Sequence, residues 1–162
     1  MKQLYHTLIF PYLNYGILSW GNTYKTRLSA LCRKQNKYAR SIFFDHSRES
    51  STPYYKFLGI LKLDDILQFK IANFTHKILN NKESIPAVFS DFITPAACVH
   101  SYENRYTTHG NLYRTDFRTD YGRFLFRYKA EQVWETVPTH LKQLTGPAFK
   151  KQYMPHLLNG QM

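Results

Sequence analysis

The chain has 162 residues, 43% of them hydrophobic and 17% aromatic, enough for one folded domain with its own core and too apolar for a disordered chain. Its 22 Lys and Arg against 11 Asp and Glu give a formal charge of +11 and an isoelectric point of about 9.7. That balance favours a polyanionic partner, of which nucleic acid is the commonest. Two cysteines, Cys32 and Cys98, are too few for a disulfide framework or a cysteine zinc site. The longest apolar neighbourhood, Leu8 to Trp20, is interrupted by Pro11, Asn14, Gly16 and Ser19 and falls short of the roughly 18 residues a membrane span needs. Met1 to Gly21 carries one Lys, several tyrosines and no small-residue cleavage site, so it does not read as a secretory signal. The expectation is an intracellular protein, nuclear or cytoplasmic, not secreted and without a membrane partner.

In chain order, residues 1–21 read as a core helix, with Leu4, Leu8, Tyr12 and Tyr15 at helical spacing and Ile9, Leu13 and Trp20 widening the apolar surface. Pro11 is expected to kink or break it, and Gly21-Asn22 to end it. Residues 24–44 form the clearest amphipathic helix. Leu28, Leu31, Cys32, Ala39, Ile42 and Phe43 share one face, and Arg33, Lys37 and Arg40 project from the other. From Asn22 to Ser50 there are seven Lys and Arg against Asp45 and Glu49, a local charge of +5. Such residues usually line a solvated face, but their concentration also suits phosphate contact. Ser51 or Thr52 is expected to cap a short helix from Pro53 to Leu58, stopped by Gly59. Leu63 to Leu79 forms the next helix on Leu63, Ile66, Leu67, Ile71, Phe74 and Ile78, with Asp64 and Asp65 in its first turn, where the macrodipole favours carboxylates. A short helix around Ile85 to Phe92 closes this half.

Thr94 to His109 has a turn-rich composition. Next comes the most unusual stretch, in which Arg114, Arg118, Arg123, Arg127 and Lys129 alternate with Phe117, Tyr121, Phe124, Phe126 and Tyr128. The alternation predicts one or two short strands, with Asp120 to Gly122 as a turn. Cations interleaved with rings suit a polyanion with stackable bases; equally, the rings could face a core and the arginines solvent. Ala130 to Val137 is expected to be helical and stopped by Pro138. A turn of helix at Thr139 to Leu144 and a last helix from Pro147 to Leu158 follow, with 159–162 fraying.

The fold expected is therefore mainly α: a bundle of about five to seven helices with a small β-hairpin or extended segment in the C-terminal third. It makes one domain over 1–158, comprising a helical half 1–93, loop and short strands 94–129, and C-terminal helices 130–158.

Few residues offer chemistry. Asp64-Asp65 could in principle hold magnesium, but the pair opens an amphipathic helix and does not sit on a strand turn behind an aromatic residue. Cys98, His100 and His109 lack a fourth ligand at a recognised zinc spacing. No Gly-rich phosphate loop, nucleophile elbow or His-Glu-x-x-His occurs.

Several segments in sequence carry a resemblance. Pro11 to Gly21 (PYLNYGILSWG, with Tyr15, Gly16 and Trp20) is similar to a Tyr-Gly-x-x-x-Trp-Gly helix. Leu31, Gln35, Lys37 and Arg40 follow a Leu-x-x-x-Gln-x-x-x-x-Arg pattern, and Phe57 to Leu63 a Leu-x-Ile-Leu segment. His100 to Arg105 matches His-x-Tyr-x-x-Arg. Tyr128, Trp134, Pro138 and Phe149-Lys150-Lys151 match a Tyr-x-x-x-x-x-Trp-x-x-x-Pro pattern and the start of a Phe-Lys-x-x-Leu ending, with Trp134 to Pro138 departing mildly from Trp-Asn-x-Leu-Pro. In this order the segments resemble the post-palm, thumb-like region of reverse transcriptases from non-long-terminal-repeat retrotransposons (LINE-type and jockey-like elements).

The resemblance implies a helical region that helps hold RNA, DNA or an RNA–DNA hybrid beside a polymerase palm. It implies structural roles for Tyr15, Gly16, Trp20, Tyr128, Trp134, Pro138 and Phe149. The basic and aromatic pattern nominates Arg33, Lys37, Arg40, Arg114, Arg118, Arg123, Arg127 and Lys129 for nucleic-acid contact. The family's fingers and palm, with the aspartates that bind Mg2+, would precede residue 1, so no catalysis and no cofactor are expected of this chain alone. The alternatives are a helical protein-interaction module and an unselected retroelement remnant.

Overall fold

The computed structural model describes residues 2–44, 50–80, 85–89, 92–99, 102 and 104–160. It is mainly helical. Among the described residues no strand forms, and Pro95 and Leu112 make an isolated antiparallel bridge. The residues up to Leu67, with those from Met154 onward, gather into one compact unit, and Gln68–Tyr153 into a second.

In the first unit, α1 covers 2–14. It is α-helical at Lys2–Leu4, π-helical over Tyr5–Ile9 and α-helical again over Phe10–Asn14. The packed face differs from the one expected. Leu4, Leu8, Tyr12 and Tyr15 are all exposed, and the covered line is Tyr5, Leu13 and Ile17, with Ile9 and Phe10 half-buried. This helix is apolar on more than one side, so spacing alone does not select the buried side. Tyr5 does, because its hydroxyl finds a partner in the interior. Pro11 does not break the helix: it begins the Phe10–Asn14 segment, where a missing N–H is tolerated. The chain turns instead at extended Tyr15 and at Gly16, whose φ of +59° suits glycine. A short helix, α2, follows at Ile17–Trp20, and the Trp20 indole N–H donates to the Tyr15 carbonyl at 2.6 Å.

Helix α3, Lys25–Ile42, buries Leu28, Gln35 and Ala39 and keeps Leu31, Cys32 and Ile42 half-covered, as the 3.6-residue period requires. The surprise is Gln35, 3% exposed on the apolar face. Its Nε2 donates to Tyr5 Oη and to the Leu61 carbonyl, both at 2.9 Å, and its Oε1 accepts from the Leu63 N–H at 2.9 Å. One amide thus ties together α1, α3 and the start of the next long helix. Helix α4, Thr52–Leu58, buries Tyr55 and Leu58 and ends at Gly59, φ +61°, as expected. The expected cap is not made: Ser51 contributes no side-chain bond to the helix start. Tyr5, Ala39, Tyr55, Leu58 and Ile60 form the core here, and Tyr55 Oη donates to Asn36 Oδ1 at 2.8 Å.

Helix α5, Leu63–Asn80, opens with Asp64 and Asp65 in its first turn. The unit boundary falls within it and within the last helix. In the second unit, 3-10 turns at Ala87–Phe89 and Ala96–Cys98 stand where a short helix and a loop were expected. Helix α6, Arg105–Thr108, is closed by a reciprocal Asn104–Thr107 capping box.

The predicted hairpin is absent. Asp120–Arg123 is helix α7 and Phe126–Thr136 is helix α8. Thr119 Oγ1 accepts from the Gly122 N–H at 3.3 Å and starts α7, and extended Leu125 separates the two. Gly122 allows the close approach, since a Cβ there would lie 2.6 Å from Phe117. Helices α9, Thr139–Lys142, and α10, Gly146–Gly160, complete the chain. Residues 159 and 160, expected to fray, continue α10, and 161–162 lie outside the described residues.

The core of this unit is a row of rings shared by α5 and α10. Phe69 stacks on Tyr153 at 6.2 Å, Tyr153 on Phe149 at 5.2 Å and Phe149 on His76 at 4.5 Å, with Trp134 beside Phe149 at 6.1 Å.

Candidate nucleic-acid interface

Helix α3 carries Lys25, Arg27, Arg33, Lys34, Lys37 and Arg40 and no acidic residue. Its buried face turns positions 33 and 37 outward, whereas position 40, also expected to project, lies at the flank of that face. Arg33 and Lys37 are exposed and make no ion pair among the described residues, whereas Arg40 is half-buried, near the Tyr55 hydroxyl. Burial raises the pKa of Tyr55, and the Arg40 charge opposes that rise.

In the second unit, Arg114 and Arg118 are exposed on the irregular segment before α7, and Tyr121 is exposed on α7. The remaining nominated cations are engaged or covered. Arg123 is exposed but lies 3.5 Å from Asp120, a pairing that solvent leaves weak. Arg127 is half-buried, its Nε 3.6 Å from the buried Glu131, which also accepts from the Thr115 N–H and Oγ1 at 2.9 Å. Lys129 is half-buried. The Arg/aromatic run is therefore two things at once: exposed side chains at Arg114, Arg118 and Tyr121, and a structural clamp in which Thr115 and Arg127 meet Glu131.

Sequence reasoning missed the partial burial of one lysine, which tertiary packing decides. Lys70 on α5 has its pKa lowered, chiefly by burial and further by the neighbouring Lys150 charge on α10.

The residues nominated as structural are placed as follows. Trp134 and Phe149 are in the ring core, and the Trp134 indole N–H donates to the Gly110 carbonyl at 2.9 Å. Tyr128 is half-buried with its ring edge-on to Phe117, and the Pro138 carbonyl accepts from Leu141 at the start of α9. Trp20 is half-buried, and Tyr15 offers its carbonyl while its ring is exposed. The His100 motif falls largely outside the described residues. Among those that are described, no three His, Cys, Asp or Glu side chains gather as metal ligands, and no helix is long and apolar enough to cross a membrane.

Lys142 is the most unusual ionisable group. It is 9% exposed, donates to Asn111 Oδ1 at 2.7 Å and to the His109 carbonyl at 3.2 Å, and lies 5.6 Å from the centre of the Trp134 ring. Burial pushes its ammonium down from 10.5 to about 8, with Glu135 pulling the other way. Between about pH 8 and 10.5 the folded chain has lost this proton while the unfolded chain still holds it. Stability therefore rises with pH across that window. Relative to a Lys142→Met variant, the wild type is expected to gain on the order of 2 kcal/mol between those limits, read from urea midpoints. A constant difference between the two proteins would contradict the assignment.

No family model, no curated protein and no solved structure matches this chain.

Proposed function

We propose that this chain is a thumb-like segment of a retrotransposon RNA-directed DNA polymerase, non-catalytic by itself, that binds RNA or an RNA–DNA hybrid through its basic and aromatic surface. The observation that carries this reading is helix α3, whose six cations face no acid within the helix and whose Arg33 and Lys37 stand exposed and unpaired among the described residues. The exposed Arg114 and Arg118 support it. The magnesium chemistry would belong to a separate palm. Asp64 is exposed in a helix first turn, and no cluster of three potential ligands among the described residues includes it or Asp65. Such a segment would act inside the cell, in the nucleus or cytoplasm.

Phosphate contacts release counterions, so affinity for a fluorescent RNA–DNA hybrid is expected to fall steeply with salt and to vary little with sequence. Arg33→Gln with Lys37→Gln should flatten the log–log salt slope by about 1 per residue. An unchanged slope would clear α3 of phosphate contact, and no binding at low salt would end the proposal.

A second reading, a helical protein-interaction module, is favoured by the bare side of α1 and the turn that follows it, where Leu4, Leu8, Tyr12 and Tyr15 are all exposed. The same surface would serve a palm domain as partner. An unselected remnant would bind neither nucleic acid nor protein.

A further inference from the structure

Two of the most exposed large apolar side chains in the first unit lie just beyond the basic helix. Phe44 is 82% exposed and follows α3, and Phe57 is 80% exposed on α4. Phe57 belongs to an aromatic corner, and Phe44 adjoins that corner in sequence as the neighbour of Phe43. Phe43 stacks on Tyr54 at 4.7 Å and meets the Phe57 ring edge-on at 5.4 Å, so Phe57 is braced from behind while its surface remains open. Phe44 has a φ of +53°, a left-handed conformation that is strained for a bulky residue and that glycine would adopt freely. Its exposed ring offsets little of that strain by burial.

The charge around this corner identifies its occupant. Lys37 and Arg33 lie one and two turns back along α3 from Arg40, Lys56 adjoins Phe57, and all but Arg40 are exposed. An apolar protein surface would match the rings but not the cations, and a duplex would match the cations but not the rings. In a helix the bases are already stacked on one another and closed to a flat side chain. An unpaired strand satisfies both, with phosphates on the cations and bases on the rings. We propose that Phe44 and Phe57 form a base-stacking site for single-stranded RNA or DNA at the end of the α3 phosphate track. This rests on the reading of α3 as a phosphate-binding face, and it adds that the strand is unpaired where it leaves the helix.

The test compares a fluorescein-labelled 12-nucleotide single-stranded RNA with a blunt 12-base-pair RNA–DNA hybrid in anisotropy titrations. Phe57→Ala and Phe44→Gly are suitable variants, because both rings are exposed and glycine relieves the backbone at position 44; circular dichroism verifies their folds. Each variant is expected to weaken single-strand binding about tenfold, as loss of one stacked base would, with hybrid binding and salt slope unchanged. Phe57→Trp should restore the affinity. Equal losses on both ligands, or no loss on either, would overturn the stacking site while leaving the phosphate-binding reading standing. Failure of the wild type to bind either ligand at low salt would overturn both.

Discussion

Gln35→Leu is expected to destabilise the first unit by about 3–5 kcal/mol, although leucine matches glutamine in size and is the more apolar residue. The cost comes from what remains. The Leu61 carbonyl, the Leu63 N–H and the Tyr5 hydroxyl each lose their Gln35 partner in the interior. A buried polar group left unpaired costs about 1–3 kcal/mol, and partial relaxation keeps the sum below the additive limit. The Leu63 N–H is one of the orphan donors at the start of α5, so Gln35 caps that helix from a different helix. Urea denaturation followed by Trp20 fluorescence in a Trp134→Phe background reads the effect in the unit concerned. A midpoint shift equivalent to less than about 1 kcal/mol would mean that water replaces the amide.

Trp134→Ala is expected to cost the second unit about 3–5 kcal/mol, the usual penalty for emptying a large aromatic site. Trp134 is buried against His76 and Phe149, satisfies the Gly110 carbonyl through its indole N–H and covers the Lys142 ammonium. Its loss should also move the Lys142 titration back toward the ordinary lysine range, because removing the ring admits water to the amine. Stability and titration are separate readouts. A large loss of stability without a shift in the lysine would show that Trp134 supports the core but does not enclose Lys142.

What the sequence disclosed follows from how local each cause is. Helix α3, the stop at Gly59 and the carboxylates opening α5 are decided within a few residues, and each stands as read. The hairpin failed because rings recur at every second residue only from Phe124 to Tyr128, while Phe117, Tyr121, Phe124 and Tyr128, like Phe126, Ala130, Trp134 and Val137, keep a helical period. The Thr119 cap and the absent Gly122 side chain resolve that ambiguity toward helix. In α1 the helix was legible, but its π-helical turn at Tyr5–Ile9 and its buried face were not, since the Tyr5–Gln35 bond joins segments thirty residues apart. For the interface, exposure of Arg33, Lys37, Arg114 and Arg118 was legible from patterning. The engagement of Arg127 by Glu131, four residues on, could have been read from helical spacing had that region been taken as helix. The partial burial of Lys70 and the exposure of Phe44 and Phe57 leave no local signal.

The row of rings in the second unit also governs where this chain can change length. Phe69 and His76 interleave with Tyr153 and Phe149 like the teeth of a closed zip, with the earlier residue of α5 meeting the later residue of α10. One residue gained or lost between Phe69 and His76 would swing His76 about 100° around its helix and open the row. A residue gained between the two helices would leave every tooth engaged. Insertions and deletions in this unit should therefore be confined to the connections, with the two helices keeping a fixed count between their rings.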